Sequence, residues 1–488
     1  MASKIKSQYK TQVFLLICGI FLLMILSADS PLDLGEDLAS LINYQSGNFF
    51  GLFKAVYYIP NMIIPIISGF IIDYIGLIYV LLSISCFGIV GQLYMFLYIY
   101  NECECMSFEY LFVGRVLYCI SCETICVSVF SYLSMWFQGL KIGEYVGLLV
   151  GLNGVESLIF TALSAHLFRH SPGDLQDRED IRSKYKWLFG FNLIMTIGIM
   201  LLSIYLFKID RNVERQENKV PVLKQHPDKM LGFWKSLKKS LRQNFILICL
   251  AFSFMYCSFQ SLRGNVHDVL TLIIWGSQPY CNAKNTVSLN VLHETLYIFS
   301  VILTIISDVV IMLVPFFVGK YLIQKKKRYL TTLFGSFLML FSIGMVMAIL
   351  RNKCADSSIK IGLFIVSILL CDLGYACQYG LLYASVALMT KQNLIGTRFG
   401  ILHAMKNFVF FFFTDFQTNL EISSTMDNQD LNRSIDAYKT MFLRTFGLLV
   451  IQILIYALIV NRMDEKGKGK DDGMSSTNLD ELSTFIKK

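Results

Sequence analysis

Apolar runs of about 20 residues return twelve times along the chain, and this repetition fixes its class before any motif is read. A run of that length lets a helix cross the roughly 30 Å hydrocarbon core of a bilayer. The spans fall at 12–28, 49–72, 77–100, 109–133, 144–167 and 186–207, then at 244–274, 295–318, 329–350, 361–389, 398–420 and 441–461. A chain of 488 residues, 55% hydrophobic and only 16% charged, carries more apolar surface than a soluble domain can bury. Backbone groups in hydrocarbon must be satisfied within their own segment, so each run is expected to be helical. The expected fold is an all-α polytopic membrane protein of twelve transmembrane helices in two six-helix halves.

Six spans precede and six follow one long polar stretch, residues 208–243. This divides the chain into a first six-helix half at 1–207, a cytosolic linker at 208–243 that is expected to be partly helical and basic, a second six-helix half at 244–461 and a cytosolic tail at 462–488. Two such halves are expected to pack around a cavity near the membrane midplane. Lysine and arginine set the orientation, because they accumulate in cytosolic loops. Lys4, Lys6 and Lys10 precede the first span, the linker is basic, KKKR stands at 325–328, and Lys466, Lys468 and Lys470 follow the last span. The opposite loops carry Asp29, Asp33, Glu36 and Asp37, then Glu102 and Glu104. Both termini are therefore expected in the cytosol. The N-terminal run has no clean small-x-small cleavage site and reads as a retained helix rather than a signal peptide. The sequon Asn432-Arg433-Ser434 falls in the last non-cytosolic loop, where a glycosylation acceptor belongs.

Charges inside the runs are few, and each is a candidate for function, because a bare charge in hydrocarbon costs roughly 2.5–3.5 kcal/mol on insertion scales. Glu123 stands near the middle of its span, in CISCETICV at 119–127. A water-filled cavity between the halves would accommodate it; a hydrogen bond to a neighbouring helix is the plainer alternative. Arg115, two turns earlier, is either a cavity charge or a side chain snorkelling to the outer interface. Asp308 and Asp372 are further cavity candidates, and Glu156 also has apolar surroundings. Arg263, His267 and Asp268 fall near a helix end, where a solvated role is expected. His403, alone on the eleventh span, reads as a satisfied hydrogen-bonding residue.

The loop between spans two and three begins GFIIDYIG at 69–76: Gly69, three residues, Asp73, two residues, Gly76. This resembles the signature of the major facilitator superfamily. The resemblance implies close helix packing at Gly69 and a conformational switch formed by Gly69, Asp73, Gly76 and Arg398. Asp73 would meet the start of the eleventh helix at Gly396-Thr397-Arg398, gaining its partial positive charge and the Arg398 guanidinium. Tyr74, Leu77 and Ile78 stand where basic residues are usual, and the equivalent loop of the second half keeps Gly319 but has no aspartate.

A narrower set of fragments runs through both halves. DSPLDL at 29–34, AVYYIPN at 55–61, GFIID at 69–73, GQ at 91–92 and MWFQG at 135–139 are followed by VGL at 146–148, GTRFG at 396–400, Asn407 and VNR at 460–462. Gly114-Arg115 stands eight residues before Glu123. In order and spacing they resemble the lysosomal dipeptide uniporters, the group called major facilitator superfamily domain-containing protein one. The resemblance implies a uniporter of short peptides, in a lysosomal or other acidic vacuolar membrane, associated with a glycosylated single-pass partner. It places Glu123, Tyr57 and Tyr383 in the substrate cavity, with Arg115 and Asp372 as further binding candidates. Two departures stand out: Gly154 replaces an arginine of the fifth span, and Tyr383 replaces a tryptophan of the tenth.

Other classes find little support. There is no GxxxxGK[ST], HExxH or GxSxG motif, so neither an ATP-driven pump nor a hydrolase is expected. The net charge of +8 sits in interhelical loops rather than in a nucleic-acid-binding stripe, and no cofactor or metal site is expected. Cys103 and Cys105 form a CxC with too few ligands for zinc, and a Cys281–Cys354 disulfide stays open. The expectation is a secondary carrier of small polar solutes, dipeptides favoured, by alternating access. An amino-acid, sugar or drug carrier, proton-coupled through Glu123, is the alternative; a non-transporting receptor or scaffold is the reading of a different class. The charge asymmetry also gives a topology prediction. In intact cells, protease should spare residues 208–243 and reach residues 421–440 only from outside the cytosol. Cytosolic cleavage within 421–440 would overturn the orientation.

Overall fold

The computed structural model describes residues 2–29, 58–100, 109–137, 141–167, 178–216, 232–241, 243–275, 286–322, 328–352, 357–390, 392–412 and 431–467. Their regular elements are all helices. The first half contains α1 (Ala2–Asp29), α2 (Ile64–Ile75), α3 (Leu77–Tyr100), α4 (Glu109–Trp136), α5 (Ile142–Leu167) and α6 (Arg178–Gln216). A short α7 (Phe233–Ser240) leads to the second half: α8 (Gln243–Arg263), α9 (Val266–Trp275), α10 (Thr286–Leu322), α11 (Arg328–Arg351), α12 (Ser357–Met389), α13 (Ile395–Phe410) and α14 (Leu431–Gly467). Among the described residues, ten helices are long and apolar enough to cross a membrane. The shorter α2 and α13 are central inter-half elements. Tyr57, Cys281 and Cys354 lie outside them too.

Two features differ from the span reading. The seventh span is broken between α8 and α9 at Gly264-Asn265, where the Asn265 side chain donates to the Ser261 carbonyl at 2.8 Å. The Asn265 amide thereby substitutes for part of the lost helical bonding. The sixth helix does not stop at 207 but continues to Gln216, and the last continues past 461 to Gly467. On the extension of α6, Arg211 pairs with Glu214 at 3.1 Å and bonds the Tyr79 hydroxyl at the start of α3. The linker is partly helical and basic, as expected: α7 carries an exposed Trp234, while Phe233 packs edge-on against Phe70 of α2 at 5.2 Å.

Glycine sets how closely the helices approach, since water-driven burial cannot hold helices together in lipid and backbone packing does so instead. Each half uses the same device at the same place. A Cβ at Gly91 of α3 would lie 2.8 Å from the Gly114 carbonyl of α4; one at Gly335 of α11 would lie 2.7 Å from the Gly374 carbonyl of α12. Two further seams join the halves. On α2–α13, a Cβ at Gly69 would lie 2.2 Å from the Gly396 carbonyl. On α5–α10, the contact climbs from Gly319 against Gly143, through Gly147 on Pro315 and Gly151 on Met312, to Gly154 on Asp308. It starts at the end of the bundle where α1 begins, called here the near face, and reaches mid-depth. The near face is closed by backbone meeting backbone.

Asp73 ties the α2–α13 seam. Its carboxylate accepts the Gly396 and Thr397 amides, each at 2.8 Å, and the Thr397 hydroxyl at 2.6 Å. These are the unsatisfied donors of a helix N-terminus, where a carboxylate gains roughly 0.3–2 kcal/mol. Arg398 is not the second partner expected. Its guanidinium bonds the Met389 carbonyl and lies over the Phe245 ring at 5.2 Å. It closes the end of α12 instead, because a side chain at the fourth residue of α13 points back along the helix. Gly76 ends α2 with a φ of +109°, a conformation only glycine adopts without strain.

The α5–α10 seam can be tested directly. The Cβ of Gly319→Leu would meet the Gly143 carbonyl at 2.1 Å, so the helices must part by roughly 1.5 Å or more to reach ordinary contact. Spin labels at Tyr74 and Tyr321 should report a distance distribution shifted to longer values, with transport lost. An unchanged distribution would show that the seam is not what closes the near face.

Candidate functional site

The α4 helix is buried along most of its length, and Glu123 is only 3% exposed. A carboxylate so placed needs internal partners, and α13 of the other half supplies them. His403 Nδ1 lies 2.8 Å from Glu123 Oε2, and Lys406 Nζ donates to Oε1 at 3.2 Å. Positions 403 and 406 are three apart on one helix and share a face, so both reach the same carboxylate. With Nδ1–H donating to Glu123, Nε2 of His403 accepts from the Tyr383 hydroxyl of α12 at 3.1 Å. Lys406 also lies 5.0 Å from the Tyr256 ring centroid. An ion pair with a histidine brace therefore crosses between the halves.

Aromatic rings enclose it. Tyr383 stacks on Phe130 of α4 at 3.9 Å, meets Phe252 of α8 edge-on at 5.0 Å, and neighbours Phe399 of α13. This cluster lies between Glu123 and the near face. On the other side Phe410 contacts Tyr58 at 4.8 Å and Tyr256 at 5.8 Å. Beside the ion pair, Asn407 donates to the Asn61 carbonyl at 3.1 Å. Both side-chain polar atoms of Asn61, and the Asn407 oxygen, are buried with no hydrogen-bond partner. Buried amide groups in that condition are costly unless a ligand or water meets them.

The remaining candidates fall elsewhere. Tyr57 is outside the described residues. Arg115 neither snorkels nor lines this site: it is fully buried in the first half and donates to the Ala28 carbonyl at the end of α1 at 3.2 Å. There it joins Tyr118, which bonds Ser27. Asp372 belongs to a second cluster, accepting from Ser307 and lying 3.8 Å from Arg263, which also pairs with Asp308. Arg263 does stand at a helix end, as expected, but it is ion-paired there rather than solvated. Gly154 also has a structural reason. A Cβ there would meet the Asp308 carbonyl at 2.4 Å, so an arginine cannot occupy this seam.

Lys406 was missed by the sequence reading, although a lone lysine in an apolar run is the counterpart of a lone glutamate in another. Among the described residues no group of histidine, cysteine and carboxylate side chains could hold a metal ion.

Comparison with known proteins fits this architecture. No curated protein matches by sequence. Among solved structures, the proton:xylose symporter XylE bound to 6-bromo-6-deoxy-D-glucose superposes with a TM-score of 0.64 at 11% identity, covering 92% of this chain and 95% of that one. The human organic anion transporter MFSD10 (TETRAN) gives 0.60 at 13% identity, over 90% and 99%. A bacterial homologue of the iron transporter ferroportin, outward-facing with soaked iron, gives 0.63 at 13% identity, over 92% and 98%. Identities this low establish a shared fold. The family model described as Major Facilitator Superfamily matches residues 12–414, most of the length, and the chain belongs to that superfamily.

Proposed function

We propose that this transporter carries small polar solutes, dipeptides favoured, by alternating access, with uniport as the simplest mode. The observation that carries the proposal is the Glu123–Lys406 pair: opposite charges, one from each half, beside amide groups that lack partners. A zwitterion offers the matching pair. Its ammonium takes Glu123 and its carboxylate takes Lys406, each a charge-assisted bond of about 1.5–3 kcal/mol. The unpartnered Asn61 and Asn407 groups suit a peptide backbone. Lys406 then supplies the cation that the fifth span, with Gly154, does not.

The same pair explains why solute would drive the cycle. Separating a buried ion pair without replacement leaves two bare charges, a loss of about 3–5 kcal/mol. A bound zwitterion replaces both partners and lets α4 and α13 part. The near face is read as cytosolic, with both termini on that side, from the lysine and arginine distribution. The lysosomal or vacuolar membrane and the glycosylated single-pass partner rest on the family resemblance alone.

In proteoliposomes, Glu123→Gln and Lys406→Met should each lower dipeptide uptake at least roughly tenfold at matched protein levels, equivalent to ~1.4 kcal/mol. Normal uptake by both variants would make the pair a packing element and remove the site.

A second prediction separates the two ends of the solute. An N-acetylated dipeptide, lacking the ammonium, should compete weakly in the wild type and lose nothing further in Glu123→Gln. Equal competition by free and acetylated peptides would contradict the assigned role of Glu123.

A further inference from the structure

The second buried cluster does not balance. Asp308 of α10 is fully buried and Asp372 of α12 is 1% exposed, and both share one cation, Arg263, at the end of α8. Asp308 pairs with the guanidinium through Oδ1, while its Oδ2 is buried with no hydrogen-bond partner. Asp372 accepts from Ser307 through Oδ2, the oxygen 3.8 Å from Arg263. Among the described residues Arg263 is the only cation paired with either. With both carboxylates ionised the cluster carries one uncompensated negative charge in the membrane interior. The Glu123 site differs, having one carboxylate and one ammonium in direct contact, with a histidine on the other carboxylate oxygen.

The groups around Asp308 do not remove the imbalance. From α5 comes Ser157, whose neutral hydroxyl faces the Asp308 carboxylate and lies 3.4 Å from the Arg263 guanidinium, with Glu156 next in sequence, buried and partnered. From α12 come Cys371 and Tyr375, both buried and neutral. The α9 helix carries His267 and Asp268, whose side chains lie outside those described.

We propose that Asp308 and Asp372 form a proton-binding site that holds one proton while the α5–α10 seam is closed and releases it when the seam parts. A proton needs only one oxygen, and the unpartnered Oδ2 of Asp308 provides it. A metal cation would need several oxygens converging on one point, and among the described residues no group of three or more histidine, cysteine and carboxylate side chains could hold one. Position supplies the coupling. The Gly154 contact on the Asp308 backbone is the innermost rung of the seam that closes the near face. Opening that face uncovers Asp308 to water, where the ionised form is solvated and the proton leaves. This inference goes beyond the solute reading and does not rest on it; a proton bound and released in each cycle makes that transport proton-coupled in place of uniport.

Infrared spectra of purified full-length protein across a pH series test it without any solute. Solvated carboxylates are ionised at neutral pH, so a protonated-carboxyl carbonyl band there reports an abnormal group. The wild type should show such a band, lost at alkaline pH. Asp308→Asn and Asp372→Asn should each abolish it, since either leaves one carboxylate against one arginine, whereas Glu123→Gln should retain it. A wild type with no band, or a band that survives in both aspartate variants, overturns the proposal.

Discussion

A carboxylate and an ammonium from opposite halves meet with both side chains buried. Much of the central architecture follows from that constraint. Glu123 can sit in mid-span only because α13 brings Lys406 and His403 to it, and α13 can do so only if α2 holds its start in register. The Asp73 clamp on the Gly396 and Thr397 amides provides that register. The aromatic layer of Phe130, Tyr383 and Phe399 then closes the space toward the near face, raising the electrostatic stakes by excluding water.

Two ionic clusters divide the molecule's polar work. The central one is balanced and spans both halves, so in the proposed cycle solute and conformation compete for the same bonds. The other lies mainly in the second half and is unbalanced, touching the first half through Ser157. Its burial depends on a backbone seam rather than on a charge partner across the interface. Substrate recognition and proton occupancy can then be sensed at different places while acting on one motion.

Much of the fold was legible because lipid leaves the backbone so few choices. Apolar length gave the spans, and Gly69 with Asp73 gave the turn after the second. The break at Gly264-Asn265 was hidden, since an apolar run longer than a membrane thickness looks continuous whether or not its hydrogen bonds are. Helix ends such as that of α6, to Gln216, were missed for the opposite reason: charged residues continue a helix readily once it has left the hydrocarbon. Glu123 was visible as a charge out of place. Its partner was not, because sequence marks which residues are unusual in lipid but not which helices face each other. The same limit put Asp372 with Glu123 and left Arg263 to solvent.

The seam between α5 and α10 is made of main chain, and this separates two things that can change at different rates. Side chains on α4, α12 and α13 can be exchanged to accept another cargo while Gly147, Gly151 and Gly154 keep the same contact with Pro315, Met312 and Asp308. The closure mechanism holds no information about what is carried. Relatives descended from such a scaffold could diverge widely in diet while moving in the same way.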